Sequence, residues 1–400
     1  MSYVIFLWFL VWGGMFTRTE YLSSISLSSN PLIVFQGIRS LFPILAVYLI
    51  FLWIFALRPP FPFIRNPIRF LIFYCSIGIT VSLFLSPAIL TALYWSMMYL
   101  SPLLVLWKVL DRSDALQSLR KLIYLNYGIF IVITFLFFQE MLGGPKPGPA
   151  RMVLWKLPFN LGEMRANGVG RFALVTIIIA GVRLMTSGKK AKILWLIPLV
   201  PSFYLLARTQ SRTALLGLAI SGVLIILIKQ LDWRLIFASP VAAYIIWISG
   251  INWRAHGSID KLIDLSGREM TWQRAIELIK QSPFIGWGFH ADRLLLNSEH
   301  MHNSFLHAMI HAGIIGTVCF ILAFITVWHL IVKSNIFGRA RFIQGPDQAM
   351  LIESVLFLGF MTSRSFFEST GAFYGVDLLL IVPAMAFIHL WAVNNPQTRA

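Results

Sequence analysis

The stretch GIIGTVCFILAFITVWHLIV, residues 313–332, contains no aspartate, glutamate, lysine or arginine. At ~1.5 Å per helical residue such a run crosses the ~30 Å hydrocarbon core of a bilayer, so it reads as a transmembrane helix. Outward from it the same pattern recurs at Phe42 to Leu57, Leu122 to Phe138 and Thr213 to Ile228, with charged or Pro/Gly breaks between the runs. The 400-residue chain is 58% hydrophobic and only 12% charged, with mean hydropathy +0.76. A water-soluble core cannot absorb that much apolar surface. The expectation is an all-α integral membrane protein with about 12 transmembrane helices. They are placed near residues 1–16, 31–57, 68–86, 88–107, 122–142, 172–187, 193–207, 213–229, 234–249, 312–332, 350–363 and 374–393. Met1 to Phe16 lacks a basic leader and a small-residue cleavage site, and reads as a short span, not a removed signal peptide. The two cysteines, Cys75 and Cys319, both fall within spans and imply no disulfide framework.

Loop charge orients the bundle. With both termini inside, Arg58 and Arg65, then Lys108, Arg112, Arg120 and Lys121, then Lys189, Lys190 and Lys192, then Lys333, Arg339 and Arg341 all lie inside, as basic loops should. The net charge of +17 is therefore spread over short loops. No basic, aromatic-interleaved domain exists to hold a strand, so nucleic acid is excluded as a partner. The same orientation sends Arg151, Arg165 and Arg171, the turn carrying Arg208 and Arg212, and Arg254 and Arg268 outward. Long loops translocate whatever their charge, which accounts for residues 250–311 but not for the tight turn at 208–212. Outward guanidinium groups suit phosphate oxygens, so an anionic ligand at the outer surface is expected. Arg39, within the second span, is an intramembrane charge and a functional candidate unless it snorkels to one face.

The longest outer segment lies between spans 9 and 10 and is expected to carry short helices. Ser266 and Glu269 form a capping box, so a helix should begin there with Arg268 in its first turn, where free N–H groups and the helix dipole favour an anion. Arg268 is equally read as pairing with Glu269 or Asp264 on a solvated face. Met270, Trp272, Ile276 and Ile279 form a stripe for resting on the bundle or in the headgroup layer. Four of the eight histidines follow within residues 300–311. His307 and His311 have the i, i+4 spacing of a metal-binding helix face, yet no HExxH glutamate accompanies them and Asp292 and Glu299 stand at no telling spacing. No metal and no cofactor are expected. His302, at the entry of a span, is either a general base or a histidine that merely hydrogen-bonds at a helix end. Gly313 and Gly316 have the small-x-x-small spacing for close helix packing.

Three motifs together resemble the O-antigen ligase and O-antigen polymerase family. They are His302-Asn303 followed by Gly313-Ile314-Ile315-Gly316-Thr317, the turn Ser211-Arg212-Thr213 with threonine for the family's usual glycine, and Ser266-Gly267-Arg268-Glu269 with Trp272 and Gly286-Trp287-Gly288. In the third, the family often has a further glycine where Phe289 or His290 stands. The resemblance covers roughly residues 160–330 and implies a membrane-embedded glycosyltransferase of a multi-pass bacterial inner-membrane protein, with its active site at the periplasmic face. On that reading the donor is an undecaprenyl-diphosphate-linked glycan and the acceptor is lipid A core or another saccharide, and neither metal nor nucleotide sugar takes part. His302 would be catalytic, and Arg212, Arg268 and Arg208 would bind the diphosphate. Arg165, Arg171, Asn303, Arg364 and Glu368 would give secondary or glycan contacts. Arg364 and Glu368, spaced i, i+4, are alternatively a structural ion pair. The glycines between Gly162 and Gly170 do not follow a predicted strand, so a dinucleotide fingerprint is rejected.

The chain accordingly divides into 1–171, N-terminal spans and first outer loop; 172–332, the catalytic region with loop 250–311; and 333–400, C-terminal spans. Ligase is favoured over repeat-unit polymerase. A non-enzymatic lipid-glycan transporter fits less well, because charges gather outside the membrane and no internal repeat is visible.

Overall fold

The computed structural model describes residues 2–16, 31–57, 66–143, 154–158, 162–231, 268–297, 299–343 and 345–395. The span expected at 234–249, together with Arg58, Arg65, Arg151, Arg254, Asp264, the capping-box serine Ser266 and Gly267, lies outside them. The helices are α1 (Ser2–Gly13), α2 (Pro31–Ser40), α3 (Phe42–Leu57), α4 (Ile68–Leu85), α5 (Ile89–Leu110), α6 (Ala115–Leu142), α7 (Ala166–Thr186), α8 (Lys189–Thr209) and α9 (Arg212–Lys229). They continue with α10 (Arg268–Gln281), α11 (Ala291–Leu295), α12 (Ser304–Lys333), α13 (Ile336–Arg339), α14 (Pro346–Arg364) and α15 (Val376–Asn394). Among the described residues nine helical segments are long and apolar enough to cross a membrane, α2 and α3 counting as one; α1 is shorter. The all-α membrane expectation is met. The helix at the place of the span expected at 350–363, α14, is not among the nine and carries Asp347 and Glu353.

Two short strands were not expected. β1 (Leu154–Leu157) and β2 (Gly162–Arg165) form an antiparallel hairpin that leads straight into α7. The glycines of this region thus do follow a strand, contrary to the sequence reading. A dinucleotide fold remains excluded on another ground, since that motif requires a parallel βαβ unit and this hairpin is antiparallel.

The chain forms two compact units. One comprises residues 1–123, 265–330 and 364–397, and the other 124–264, 331–363 and 398–400. In the first, α5 is the central helix and packs against α1, α3, α4 and α15. Its buried Ser96 and Ser101 return their hydroxyls to the carbonyls of Ala92 and Met98, at 2.7 and 2.8 Å, so neither hydroxyl is left facing hydrocarbon. α15 is apolar all round and correspondingly buried all round. In the second unit α7 packs against α8 and α9. Inside it Arg183 of α7 forks onto Glu353 of α14, Nε to Oε1 at 2.6 Å and Nη2 to Oε2 at 3.0 Å, with the carboxylate fully enclosed.

The deciding stretch is itself interrupted. α12 is broken at Ala312 (φ −139°) and Gly313 (φ 59°, ψ −164°), and the freed backbone groups are taken by residues 283–288. Ile314 N–H donates to Pro283 O at 2.8 Å, Trp287 N–H to Ile310 O at 2.7 Å and Gly288 N–H to His311 O at 3.0 Å. The close-packing expectation therefore holds for Gly316, where an added Cβ would lie 3.3 Å from the Tyr74 ring, but not for Gly313. There a Cβ would lie 2.2 Å from the Phe284 carbonyl carbon, in a backbone conformation almost confined to glycine. Gly313→Ala is expected to cost about 1–3 kcal/mol from backbone strain alone, visible as a lower thermal midpoint of the detergent-solubilised protein. An unchanged midpoint would show that the break is dispensable.

Candidate functional site

The site is built at the start of α12. Asn303 caps that helix, its Oδ1 accepting from the N–H groups of Phe305 and Leu306 at 2.9 and 3.0 Å. The helix therefore begins at Ser304, eight residues before the expected span start. Ser304 ties it to the segment after α14: its N–H donates to Ser365 O at 2.9 Å, and its hydroxyl meets the carbonyls of Glu368 and Thr370 at 3.0 and 2.9 Å. These contacts bring Glu368 beside His302.

His302 has left-handed backbone (φ 48°), and its Nδ1 lies 2.7 Å from Glu368 Oε2. The other carboxylate oxygen takes Arg268 Nη2 at 3.2 Å, and Arg268 Nη1 also donates to the Phe367 carbonyl. Burial by itself would raise the pKa of Glu368. The His302 hydrogen bond, with the charges of Arg364, His302 and Arg268, more than offsets it and holds the carboxyl well below the usual range. An ionised carboxylate at Nδ1 fixes the tautomer with its proton there and the lone pair on Nε2. No described residue takes Nε2, and the ring is 32% exposed. That is the arrangement of a general base.

Of the sequence-predicted residues, His302, Arg268 and Glu368 are thus brought together. Arg268 opens α10, as expected, and it pairs with Glu368; Asp264, one of the two partners expected on the alternative reading, lies outside the described residues. Arg364 and Glu368 divide their roles: Arg364 donates to Asp377 Oδ2 and, at 2.9 Å, to Thr370 Oγ1, while Glu368 serves His302 and Arg268. Asn303 spends its amide on the cap and on Phe366 O at 3.1 Å. Arg39, at the end of α2, is buried. On α10 it is Ala275, with Leu278 and Ile279, that packs inward on Ala291, Leu296, Met301 and Ile310. Met270 and Ile276 of the expected stripe are exposed, and Trp272 is held by its indole N–H on Met301 O at 2.7 Å.

The remaining arginines lie in the second unit. Ser211 caps α9, its hydroxyl accepting from Ala214 N–H at 3.4 Å, and Arg212 is the first helical residue and half-buried. Arg208 is exposed in the last turn of α8, where the helix dipole disfavours an anion, whereas Arg212 stands at a helix start, where it favours one. Arg165 is exposed at the end of β2 and Arg171 half-buried in α7. The neighbouring Gly170 lies against the 209–211 turn, where a Cβ would approach Ser211 Cβ to 2.6 Å.

Asp292, which the sequence reading weighs beside the histidines and sets aside for its spacing, lies among them. It is buried, with its carboxylate 3.6 Å from His300 Nδ1, 3.7 Å from His307 Nε2 and 3.6 Å from His311 Nε2. His290, where the resembled family often has glycine, adopts left-handed backbone (φ 65°), the conformation glycine supplies freely. Its ring stacks on Trp95 at 5.0 Å, and burial pushes its pKa down to about 4. Gly288 (φ 90°) meets Ser82 of α4, and Phe289 N–H donates to Ser82 Oγ at 2.8 Å, so the Gly-Trp-Gly turn seats the outer segment on the bundle.

Over residues 197–321 the chain matches the O-antigen ligase family. That segment contains the Arg208–Arg212 turn, Arg268 and His302, so the resemblance read from those three motifs is borne out. Arg165, Arg171, Arg364 and Glu368 lie outside the ligase-family segment. The chain is also 24% identical over 214 residues to the exopolysaccharide production protein ExoQ of Rhizobium meliloti (strain 1021), covering 46% of this chain. The chain spans about half the length of that curated relative, 47%.

Proposed function

We propose that the protein is a bacterial inner-membrane glycosyltransferase that moves a glycan from an undecaprenyl-diphosphate donor to an acceptor hydroxyl at the periplasmic face. The observation that carries the reading is the His302–Glu368–Arg268 arrangement, which leaves Nε2 of a carboxylate-oriented imidazole open. In the transfer, Nε2 takes the proton of the acceptor hydroxyl as its oxygen bonds to the anomeric carbon from the face opposite the diphosphate. The glycosidic C–O bond breaks with its electron pair passing to the diphosphate, inverting the centre. Charge grows on that leaving group, and guanidinium forks stabilise it; Arg212 and Arg268 are assigned this role, with Arg208, Arg165 and Arg171 as secondary contacts. No metal or nucleotide sugar is needed among the reacting groups. Lipid A core is the proposed acceptor. The name of the exopolysaccharide relative favours a second reading, in which the acceptor is another repeat unit and the enzyme a polymerase.

Purified protein given undecaprenyl-diphosphate glycan, with lipid A core and repeat-unit acceptors offered separately, distinguishes these. Product on lipid A core supports the ligase, laddered repeat units the polymerase, and no product on either refutes both. Arg268→Lys keeps the charge but loses the fork that reaches both Glu368 and the Phe367 carbonyl. We expect it to lower transfer by about 10-fold, a cost of about 1.4 kcal/mol in the barrier, measured as kcat/KM for donor.

A further inference from the structure

We propose that Asp292, His300 and His307 form a binding site for one divalent transition-metal ion of the zinc class, which staples the outer segment to the start of α12. One carboxylate and two imidazoles are a set that suits zinc. Their ligand atoms all lie within 4.8 Å of one another. Asp292 and His307 are buried, at 1% and 2% exposure. The carboxylate turns one oxygen toward each ring, Oδ2 to His300 Nδ1 at 3.6 Å and Oδ1 to His307 Nε2 at 3.7 Å.

Those separations are too long for hydrogen bonds, whose N–H···O distances run to ~3.2 Å. They leave room between carboxylate and rings for an ion with bonds of ~2.0–2.2 Å, being at or just beyond the roughly 3.3–3.6 Å edge of a regular tetrahedron of that size. Among the described residues, two of the facing atoms, Asp292 Oδ2 and His300 Nδ1, have no hydrogen-bond partner; on His307 it is the far nitrogen, Nδ1, that has none, while Nε2 faces the carboxylate. Two orphaned polar atoms facing each other in one cluster are costly unless something not made of protein satisfies them. The Arg293 guanidinium, 3.9 Å from Asp292 Oδ2 on a half-exposed side chain, does not hydrogen-bond that oxygen.

His311 is excluded as a ligand although its Nε2 is as near to Asp292 as the others. Its Nε2 accepts from the His290 N–H at 3.1 Å, and its Nδ1 faces the Tyr74 hydroxyl at 3.2 Å. Tyr74 spends its own proton on Ala372 O at 2.7 Å, so it accepts from His311 Nδ1–H. Both His311 nitrogens are therefore committed. The ion takes no part in the transfer chemistry and does not depend on that reading. It fixes His300, two residues before His302, to the first turns of α12.

The test uses the full chain in detergent, carrying a tag free of histidine, equilibrated with Zn²⁺ or Co²⁺ and passed through gel filtration. Wild type is expected to retain about one equivalent, with a tetrahedral Co²⁺ absorption spectrum. Asp292→Asn and His307→Gln should retain less than about a tenth of that. His311→Gln should retain it in full. Chelation should lower the thermal midpoint of wild type but not of Asp292→Asn. The wild-type measurement stands even if a variant fails to fold. Wild-type retention no higher than that of Asp292→Asn would overturn the site, and equal loss in His311→Gln would overturn the ligand assignment.

Discussion

His302→Ala is expected to lower glycan transfer by about 10²–10⁴-fold while the thermal midpoint and gel-filtration profile stay at wild-type values. The side chain is one-third exposed and its single described hydrogen bond is to Glu368 Oε2, so little packing is lost with it. The companion variant Glu368→Gln keeps the shape but removes the charge that orients the imidazole. It should lower kcat by about 10²-fold, the size of effect a small misplacement of a reacting group produces, with KM for acceptor nearly unchanged. A His302→Ala protein that still transfers at wild-type rate would remove the base from the proposed mechanism, and a Glu368→Gln effect confined to KM would make that carboxylate a binding group.

Glu353→Ala is expected to be the most destabilising single change in the second unit, by about 3–5 kcal/mol, because it strands the Arg183 guanidinium without its fork partner. The carboxylate is fully enclosed, and the pair is bidentate at 2.6 and 3.0 Å. The double variant Arg183→Met, Glu353→Leu removes both charges and should recover most of the loss, since paired burial of charge is itself close to break-even. Thermal unfolding and aggregation half-life in detergent give the comparison. If the double variant were as unstable as the single one, the pair would be contributing shape and not charge.

The apolar runs made the helices legible, because lipid demands some twenty apolar residues per span whatever the neighbours do. The first turn of α10 was legible for a similar reason: a capping box acts over three or four residues and is written locally. The pairing proposed for catalysis was half legible. His302 and Arg268 declare themselves by motif, but Glu368 was read against Arg364 at helical spacing. α14 ends at Arg364, and beyond it the chain turns so that Glu368 faces His302 across 66 positions of sequence. The place of Asp292 among His300, His307 and His311 was hidden for the same reason, since these come from a loop and a helix face with no common period. The break at Gly313 was hidden because small residues at i and i+3 serve equally for helix packing and for a left-handed kink. Only the approach of Phe284 distinguishes the two.

That kink has a practical consequence for chimaeras. Residues 283–288 hydrogen-bond into the gap in α12 as though they were one of its turns, so the surface segment and the span below it are a single part. Exchanging outer loops between relatives at the apparent membrane boundary, Gly313, would cut through that part. A junction placed upstream of Pro283 and closed again only within α12 beyond Ile315 would carry the histidine, its cap and its footing across together.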